Sequence, residues 1–130
     1  MDYSVVDPDE LESLDNRPCE LRRVSASAGL ETVAINRFRA EPGEQLPLVY
    51  HYHEQQEEAF FVHSGTLHVE TPDGEFEVPT GSVFAARPEA PHRAYVPEDA
   101  TEPVEVIAIG SPPVSGDAVE YDPDAEQSAE

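Results

Sequence analysis

The chain has 130 residues, of which 28 are acidic and 7 basic, so its formal net charge at pH 7 is -21. This length fits one domain with its own core, and so negative a charge argues against binding to the phosphate backbone of nucleic acids. Cys19 is the only cysteine, which excludes an intramolecular disulfide and favours a cytoplasmic setting, and the sequence predicts neither a signal peptide nor a membrane span.

The acidity extends beyond the two ends of the chain. Residues 17–110 hold 16 acidic residues against all seven arginines, and the chain contains no lysine. Such a surface repels itself at low ionic strength and is screened in concentrated salt. We therefore interpret the chain as a halophilic acidic protein; the alternative is an ordinary acidic protein with charged tails.

The first 18 residues are predicted to form an arm that docks on the domain or on a partner subunit. Asp7 and Pro8 favour one short helical turn, which Leu11 and Leu14 would continue, because proline suits the first helical position. Residues 19–110 are predicted to form the body of a single domain. Residues 111–130, rich in prolines and acids, are expected to form a mobile acidic tail.

Alternation of apolar and polar residues predicts many short strands between turns. The predicted strands cover residues 19–25, 31–40, 46–53, 58–62, 66–71, 76–78, 83–86, 92–96 and 104–109. Residues 72–74 and 79–81 mark two of the turns. With no helical period in the body, this pattern predicts an all-β sandwich or barrel.

Two histidines and a glutamate suggest a metal site. Side chains two residues apart on a strand share a face, so His51 and His53, with α-carbons about 6.6 Å apart, can bind one metal ion. Glu58 falls in register with apolar residues on the buried face of the next predicted strand. A buried carboxylate needs a cation or several hydrogen-bond donors, and a metal ion would supply the cation. His92 begins a later strand after a proline-braced loop.

These segments resemble the cupin family over about residues 31–110. The first cupin motif is matched by Gly43, His51, His53, Glu58 and Gly65, and the second by Gly74, Pro79, Gly81 and His92. The spacings of Gly43 and Gly74 depart from the motifs, and Val96 occupies the usual asparagine position, but no ligand is lost. The resemblance implies a jelly-roll barrel, the cupin double-stranded β-helix, with a metal bound inside by His51, His53, Glu58 and His92.

Other residues near the motifs are less strongly indicated as metal ligands, pocket residues or acid–base groups. Glu57 is the rival of Glu58, because three residues after His53 is also an allowed spacing, whereas Glu58 keeps the six-residue gap to Gly65. His63 and His68 fall on the opposite strand face and are expected to meet solvent or a partner subunit. Candidates for lining a substrate pocket, each of which could also be plain core, are Tyr50, Phe60, Phe84 and Tyr95. A general acid or base stays unidentified, since Glu57, Tyr50 and Arg93 are close to the ligands only in sequence.

Three imidazoles and one carboxylate suit Fe, Mn, Ni, Co, Cu or Zn better than Mg or Ca. The resemblance implies a metal-dependent enzyme acting on a small oxygen-bearing molecule, of the dioxygenase or isomerase type. It also allows a non-catalytic binding or sensing protein with a structural metal, because fold and metal site do not fix the chemistry. Small cupins commonly pair, so we expect a homodimer in which the N-terminal arm or an early strand lies across the partner.

We predict that chloride salts stabilise the protein. The melting temperature should rise steeply between about 0.1 M and about 2 M NaCl, because screening relieves repulsion among surface carboxylates. Sulfate is unsuitable for this measurement, since it stabilises most proteins by exclusion from their surface. A melting temperature that does not change with NaCl would favour the ordinary acidic protein.

Overall fold

The computed structural model describes residues 2–14, 19–46, 49–114 and 116–124. The strands in this part of the chain are β1 Glu20–Arg23, β2 Ala34–Ala40, β3 His51–His53, β4 Glu57–Ser64, β5 Leu67–Thr71, β6 Gly74–Val78, β7 Val83–Ala86, β8 Arg93–Tyr95, β9 Val104–Ser111 and β10 Ala118–Glu120. A 3-10 helix covers Pro8–Glu10, and a short α-helix, α1, covers Val24–Ala28.

The strands form two antiparallel layers. One layer is a five-stranded sheet in the order β1-β2-β9-β4-β7. The other layer contains a three-stranded sheet, β6-β5-β8, and the pair β10-β3. An isolated bridge between His51 and His92 joins the pair to the segment before β8, and a second bridge joins Gln45 to Tyr95 of β8. This architecture confirms the predicted all-β fold.

Inward-facing side chains from both layers make one core. Phe60 and Val62 of β4 belong to the same buried cluster as Leu67 and Val69 of β5. Each such apolar side chain contributes about 1.5–3 kcal/mol by leaving water. The layers are therefore held face to face, and the same inward parity places Glu58 at one end of the interior.

Gly65 ends β4 in a position that only glycine tolerates. Its φ is +80°, and a β-carbon there would collide with the carbonyl oxygen of Pro103. The turn after β4 can therefore lie directly on the segment that leads into β9.

The strand predicted over residues 19–25 is wrong at its end. The strand stops at Arg23, and the alanine- and serine-rich segment that follows forms α1. Gly29 closes this helix in the left-handed conformation, with φ +73°, and the N–H of Leu30 donates to the carbonyl of Ser25 at 3.0 Å. Local capping thus outweighs the strand pattern of these residues.

The described part of the N-terminal arm docks on the chain's own barrel. The buried Arg37 side chain donates to Asp9 Oδ1 at 2.9 Å, and Arg22 donates to the Asp9 carbonyl at 3.2 Å. The predicted helical turn after Asp7 is the 3-10 helix, and Asp7 Oδ1 accepts the N–H of Asp9 at 3.0 Å. Residues 15–18 of the predicted arm, and residues 47–48 of a predicted strand, lie outside the described residues.

The segment after Gly110 contains a strand that the sequence analysis does not predict. β10 pairs with β3, so that Ala118 lies opposite His53 and Glu120 opposite His51. The predicted boundary at residue 110 therefore assigns β10 to the tail, although β10 pairs with β3 of the barrel. Residues 125–130 of the predicted tail lie outside the described residues.

Cys19 is buried and has no disulfide partner. Burial, together with the nearby carboxylates of Glu44 and Glu20, raises the pKa of its thiol to about 12. The thiol therefore stays protonated and unreactive in the folded protein. Within the described ranges, no helix is long and apolar enough to cross a membrane.

Candidate metal centre

Three strands bring four side chains to one point inside the barrel. His51 and His53 come from β3, Glu58 comes from β4, and His92 immediately precedes β8 and forms a bridge with His51. Glu58 Oε1 lies 2.9 Å from His92 Nε2, 3.2 Å from His53 Nε2 and 3.9 Å from His51 Nε2. The Nε2 atoms of His51 and His53 are 3.2 Å apart.

The cluster is shielded from water. His51 and His92 are buried, and the side chains of His53 and Glu58 are only 11% and 14% exposed. The ligand atoms of His51, Glu58 and His92 all lie within 4.8 Å of one another, a grouping that could hold a metal ion. His53 adds a fourth donor at 3.2 Å from two of them.

Backbone carbonyls fix the tautomers of two histidines. His51 Nδ1 lies 2.7 Å from the Val49 carbonyl, and His92 Nδ1 lies 2.9 Å from the Ala90 carbonyl. A carbonyl only accepts, so each Nδ1 carries a proton that it donates. In its neutral form each ring therefore turns a bare Nε2 lone pair toward Glu58.

This arrangement fits a metal ion. Lone pairs of His51 and His92 that face an ionised Glu58 repel one another unless a shared proton or a cation lies between them. Ligands that hold a transition metal at about 2.1 Å, at right angles, are about 3.0 Å apart. The separations of 2.9 Å and 3.2 Å around Glu58 Oε1 match that value.

The charge states also suit metal binding. Burial opposes ionisation of Glu58, but the adjacent imidazoles of His53 and His92, which donate to it when they are protonated, outweigh that effect and hold the pKa of Glu58 at about 2. Burial lowers the pKa of His51, whereas the hydrogen bond with Glu58 raises the pKa of His53. At neutral pH, Glu58 is therefore a carboxylate, and a metal ion would compete with protons for the imidazole nitrogens around it.

The alternative carboxylate and the remaining histidines lie elsewhere. Glu57 is exposed and points away from the cluster, since neighbouring residues on β4 face opposite sides. His63 is exposed on the same outer face as Glu57. His68 lies on the outer face of β5, with its ring centroid 5.7 Å from that of Tyr95.

A cavity of about 160 Å³ adjoins the cluster. Its walls are formed by Leu21, Phe38, Leu46, His51, Glu58, Phe60, His92 and Ala94. The sequence analysis did not select Leu21, Phe38, Leu46 or Ala94 as pocket residues. Strand parity puts Phe38 and Ala94 on inner faces, but only the pairing of the strands places them beside the cluster.

The predicted pocket residues are divided between the two sides of the sheets. Phe60 lines the cavity, while Phe84 packs against it at 6.1 Å between ring centroids and lines a neighbouring depression. Tyr50 packs on Tyr121, and Tyr95 lies on an outer face beneath the Arg93 guanidinium. Neither tyrosine lines the cavity.

The residues weighed as general acid or base also lie outside the cavity walls. Arg93 donates to Gln45 Oε1 at 2.8 Å and to Glu70 Oε1 at 2.6 Å, so its charge is engaged on the outer face of its sheet. Glu57 is exposed, and the ring of Tyr50 packs at a tilt of 44° against that of Tyr121. Among the described wall residues, the titratable groups are those of the cluster itself.

Comparison with known proteins identifies the fold and the family. The cupin domain profile matches residues 36–110. No functionally curated protein matches the sequence. Several solved structures do match, and three of them illustrate the likeness.

A sugar phosphate isomerase from Silicibacter pomeroyi superposes with a TM-score of 0.71 at 22% identity, covering 83% of this chain and 75% of that one. KdgF from a Halomonas species superposes with a TM-score of 0.72 at 21% identity, covering 87% of this chain and 96% of that one. The polyketide cyclase RemF from Streptomyces resistomycificus superposes with a TM-score of 0.70 at 17% identity, covering 88% of this chain and 89% of that one. At these identities the likeness establishes the fold alone.

The matched profile spans more than half of the chain, and the two-layered β fold agrees with that of the structural neighbours. The chain therefore belongs to the cupin family.

Proposed function

We propose that His51, His53, Glu58 and His92 bind one divalent transition-metal ion. We further propose that the protein uses it as a metal-dependent enzyme acting on a small oxygen-bearing molecule. The observation that carries the proposal is the convergence of these donor atoms, 2.9 Å to 3.9 Å apart, beside a cavity that three of the four residues line. A merely structural interior could be filled by apolar side chains at a lower desolvation cost.

The cavity walls suggest the character of the substrate. Apart from the cluster, the wall residues are all apolar: Leu21, Phe38, Leu46, Phe60 and Ala94. No arginine or lysine lines the cavity, so apart from the proposed metal ion a phosphate group would find no cation there. We therefore favour a compact molecule that has an uncharged, apolar body and an oxygen group directed at the cluster.

Among the described residues, Arg87 lies near the site but outside the cavity. Arg87 lines a wider hollow of about 550 Å³, which borders the cavity at His92, and its side chain is exposed. A phosphorylated substrate like that named for the Silicibacter pomeroyi protein would have to reach Arg87 from outside the cavity. This geometry supports neutral substrates over sugar phosphates.

The chain's own residues prepare the site. Glu58 stays ionised, the Val49 and Ala90 carbonyls orient two imidazoles, and the remaining walls of the cavity are apolar. When bound, the metal ion would supply Lewis-acid polarisation of a substrate oxygen and, if it were iron, redox chemistry.

The cavity favours the dioxygenase type over the isomerase type. An isomerase that moves a proton needs a group to carry it, and the described walls offer only the residues assigned to the metal. The structural neighbours carry names as different as isomerase and cyclase, so the fold does not decide between reactions.

The same observation supports a rival function. A cavity without an acid or base of its own also suits a binding or sensing protein, in which the metal orders the barrel and the ligand leaves unchanged. The two functions differ in one measurable respect, which is turnover.

We also infer a cytoplasmic, salt-rich setting and a homodimer. The first rests on the single, buried thiol of Cys19 and on the acidity of residues 17–110. The second is supported by apolar side chains on the outer face of the five-stranded sheet, where Phe61, Val83 and Ile109 are 37%, 57% and 38% exposed. This outer face is uncommon on so acidic a chain and would be covered by a second copy.

Replacing His51 and His92 together by alanine should abolish metal binding. The wild-type protein should bind about one transition-metal ion per chain, and the double variant should bind almost none, because two of the assigned donors are lost. Elemental analysis after dialysis measures the content. His63→Ala, on the outer face of β4, should retain metal, and equal metal content in all three proteins would contradict the assignment.

The enzyme proposal predicts turnover of a neutral substrate. Protein loaded anaerobically with Fe(II), and in parallel with Mn(II) or Ni(II), should convert one of a panel of diols, β-diketones and hydroxy acids more readily than phosphosugars. Product formation is measured by mass spectrometry, and oxygen uptake is measured with an electrode.

Ala94→Leu tests whether the cavity is the substrate site. The larger side chain would fill part of the cavity and replaces none of the proposed ligands, so turnover should fall while metal content is kept. Ala26→Leu, on the exposed side of α1, is the matched control and should behave as wild type. Tight binding of one compound without turnover under any metal would favour the binding or sensing protein.

The homodimer predicts a concentration-dependent mass. Light scattering in about 2 M NaCl, which screens repulsion between the acidic chains, should give twice the chain mass. Val83→Asp should shift the mass toward the monomer, because it places a charge on the outer face. Val5→Asp, on the N-terminal arm, should leave the mass unchanged. A monomer mass for Val5→Asp and a dimer mass for Val83→Asp would show instead that the partner binds the arm.

A further inference from the structure

Asp117 is a buried carboxylate that organises the loop between two proposed ligands. The residue is 6% exposed and directly precedes β10. Its Oδ1 accepts the N–H groups of Glu54 and Gln55 at 3.1 Å and 3.0 Å, and its Oδ2 accepts that of Gln56 at 2.9 Å. These residues connect His53 on β3 with β4, so the C-terminal segment holds the loop on which both ligands depend.

The same carboxylate lies beside His53. Asp117 Oδ2 is 3.7 Å from His53 Nδ1, which is buried and has no hydrogen-bond partner among the described residues. Bringing the two atoms to hydrogen-bond length requires a shift of roughly 0.7 Å. The pairing of Ala118 with His53 keeps the two side chains in register.

A comparison with the other histidines shows why His53 needs a remote acceptor. His51 and His92 each donate from Nδ1 to the carbonyl two residues earlier, at Val49 and Ala90. The equivalent carbonyl for His53 is that of His51, which already accepts the N–H of His92 at 2.8 Å. Asp117 is therefore the group available to do for His53 what backbone carbonyls do for its two neighbours.

We propose that Asp117 is a positioning residue of the metal centre, which accepts the Nδ1 proton of His53 and so leaves Nε2 bare toward Glu58. This inference rests on the proposed metal binding. Carboxylates in this role orient metal-binding imidazoles and fix their tautomer. A tautomer with the proton on Nε2 would instead point that proton at Glu58 and block the fourth donor.

The test compares Zn²⁺ affinities, measured by competition with a chromophoric chelator. Asp117→Asn should bind Zn²⁺ about 10- to 100-fold more weakly than wild type, as is typical when such a partner is lost. Asparagine keeps one of the two oxygens that accept from the loop, and circular dichroism checks that the variant keeps the fold. Glu120→Gln removes an exposed charge on β10, three residues after Asp117, and should bind Zn²⁺ as wild type does.

A His53→Ala background separates the two roles of Asp117. If Asp117 acts through His53, adding Asp117→Asn to His53→Ala should cause no further loss of affinity. An equal additional loss in that background would overturn the proposal and leave Asp117 as a support of the loop only.

A second readout does not depend on metal. In the apo protein, ¹⁵N NMR of the imidazoles should show the proton of neutral His53 on Nδ1 in wild type and on Nε2 in Asp117→Asn. A wild-type His53 protonated on Nε2 would refute the role of Asp117 even if the variant failed to fold. Wild-type protein that binds no Zn²⁺ or other transition metal would refute the proposed function instead, while the tautomer would still decide the role of Asp117.

Discussion

The ionised Glu58 carboxylate on the inner face of β4 is the constraint to which the rest of the site responds. A carboxylate there is costly to desolvate, and the surrounding imidazoles of His53 and His92 compensate for that cost. Because those imidazoles come from β3 and from the residue that leads into β8, the compensation exists only when both layers are in place. Binding of a metal ion at this site would therefore be linked to the closing of this end of the barrel.

The interior is divided into a packed part and an open part. Valine and leucine side chains fill the space between the layers around Val62 and Leu67. Near the cluster the lining residues Phe38 and Ala94 leave a cavity of about 160 Å³. A polar, charge-bearing end beside an apolar hollow is the general form of a small-molecule site.

The few arginines are used where the chain must hold itself together. Arg22 and Arg37 fasten the N-terminal arm to β1 and β2, and Arg39 pairs with Glu105 across to β9 at 3.0 Å. None of them enters the cavity. The excess of surface carboxylates is thus separated from the site, whose own charge comes from Glu58 alone among the wall residues.

Local patterns in the sequence were enough to predict the core strands and the faces on which three of the proposed ligands lie. Alternation along each segment predicted the strands of the core, and the spacing of His51, His53 and Glu58 placed three donors on inward faces, because strand parity is a local property. The distance from Glu58 to Gly65 favoured Glu58 over Glu57, and in the structure Glu57 lies on the other face of β4.

Only the tertiary structure decided which distant segments meet. Pairings between strands far apart in the chain place Leu21 in the cavity wall and leave Tyr95 outside it. They also bring Asp117 close to His53. Parity states that two side chains of one strand share a face, but it does not state what covers that face. β10 was missed for this reason: its three residues carry no apolar alternation of their own, and pairing with β3 makes them a strand.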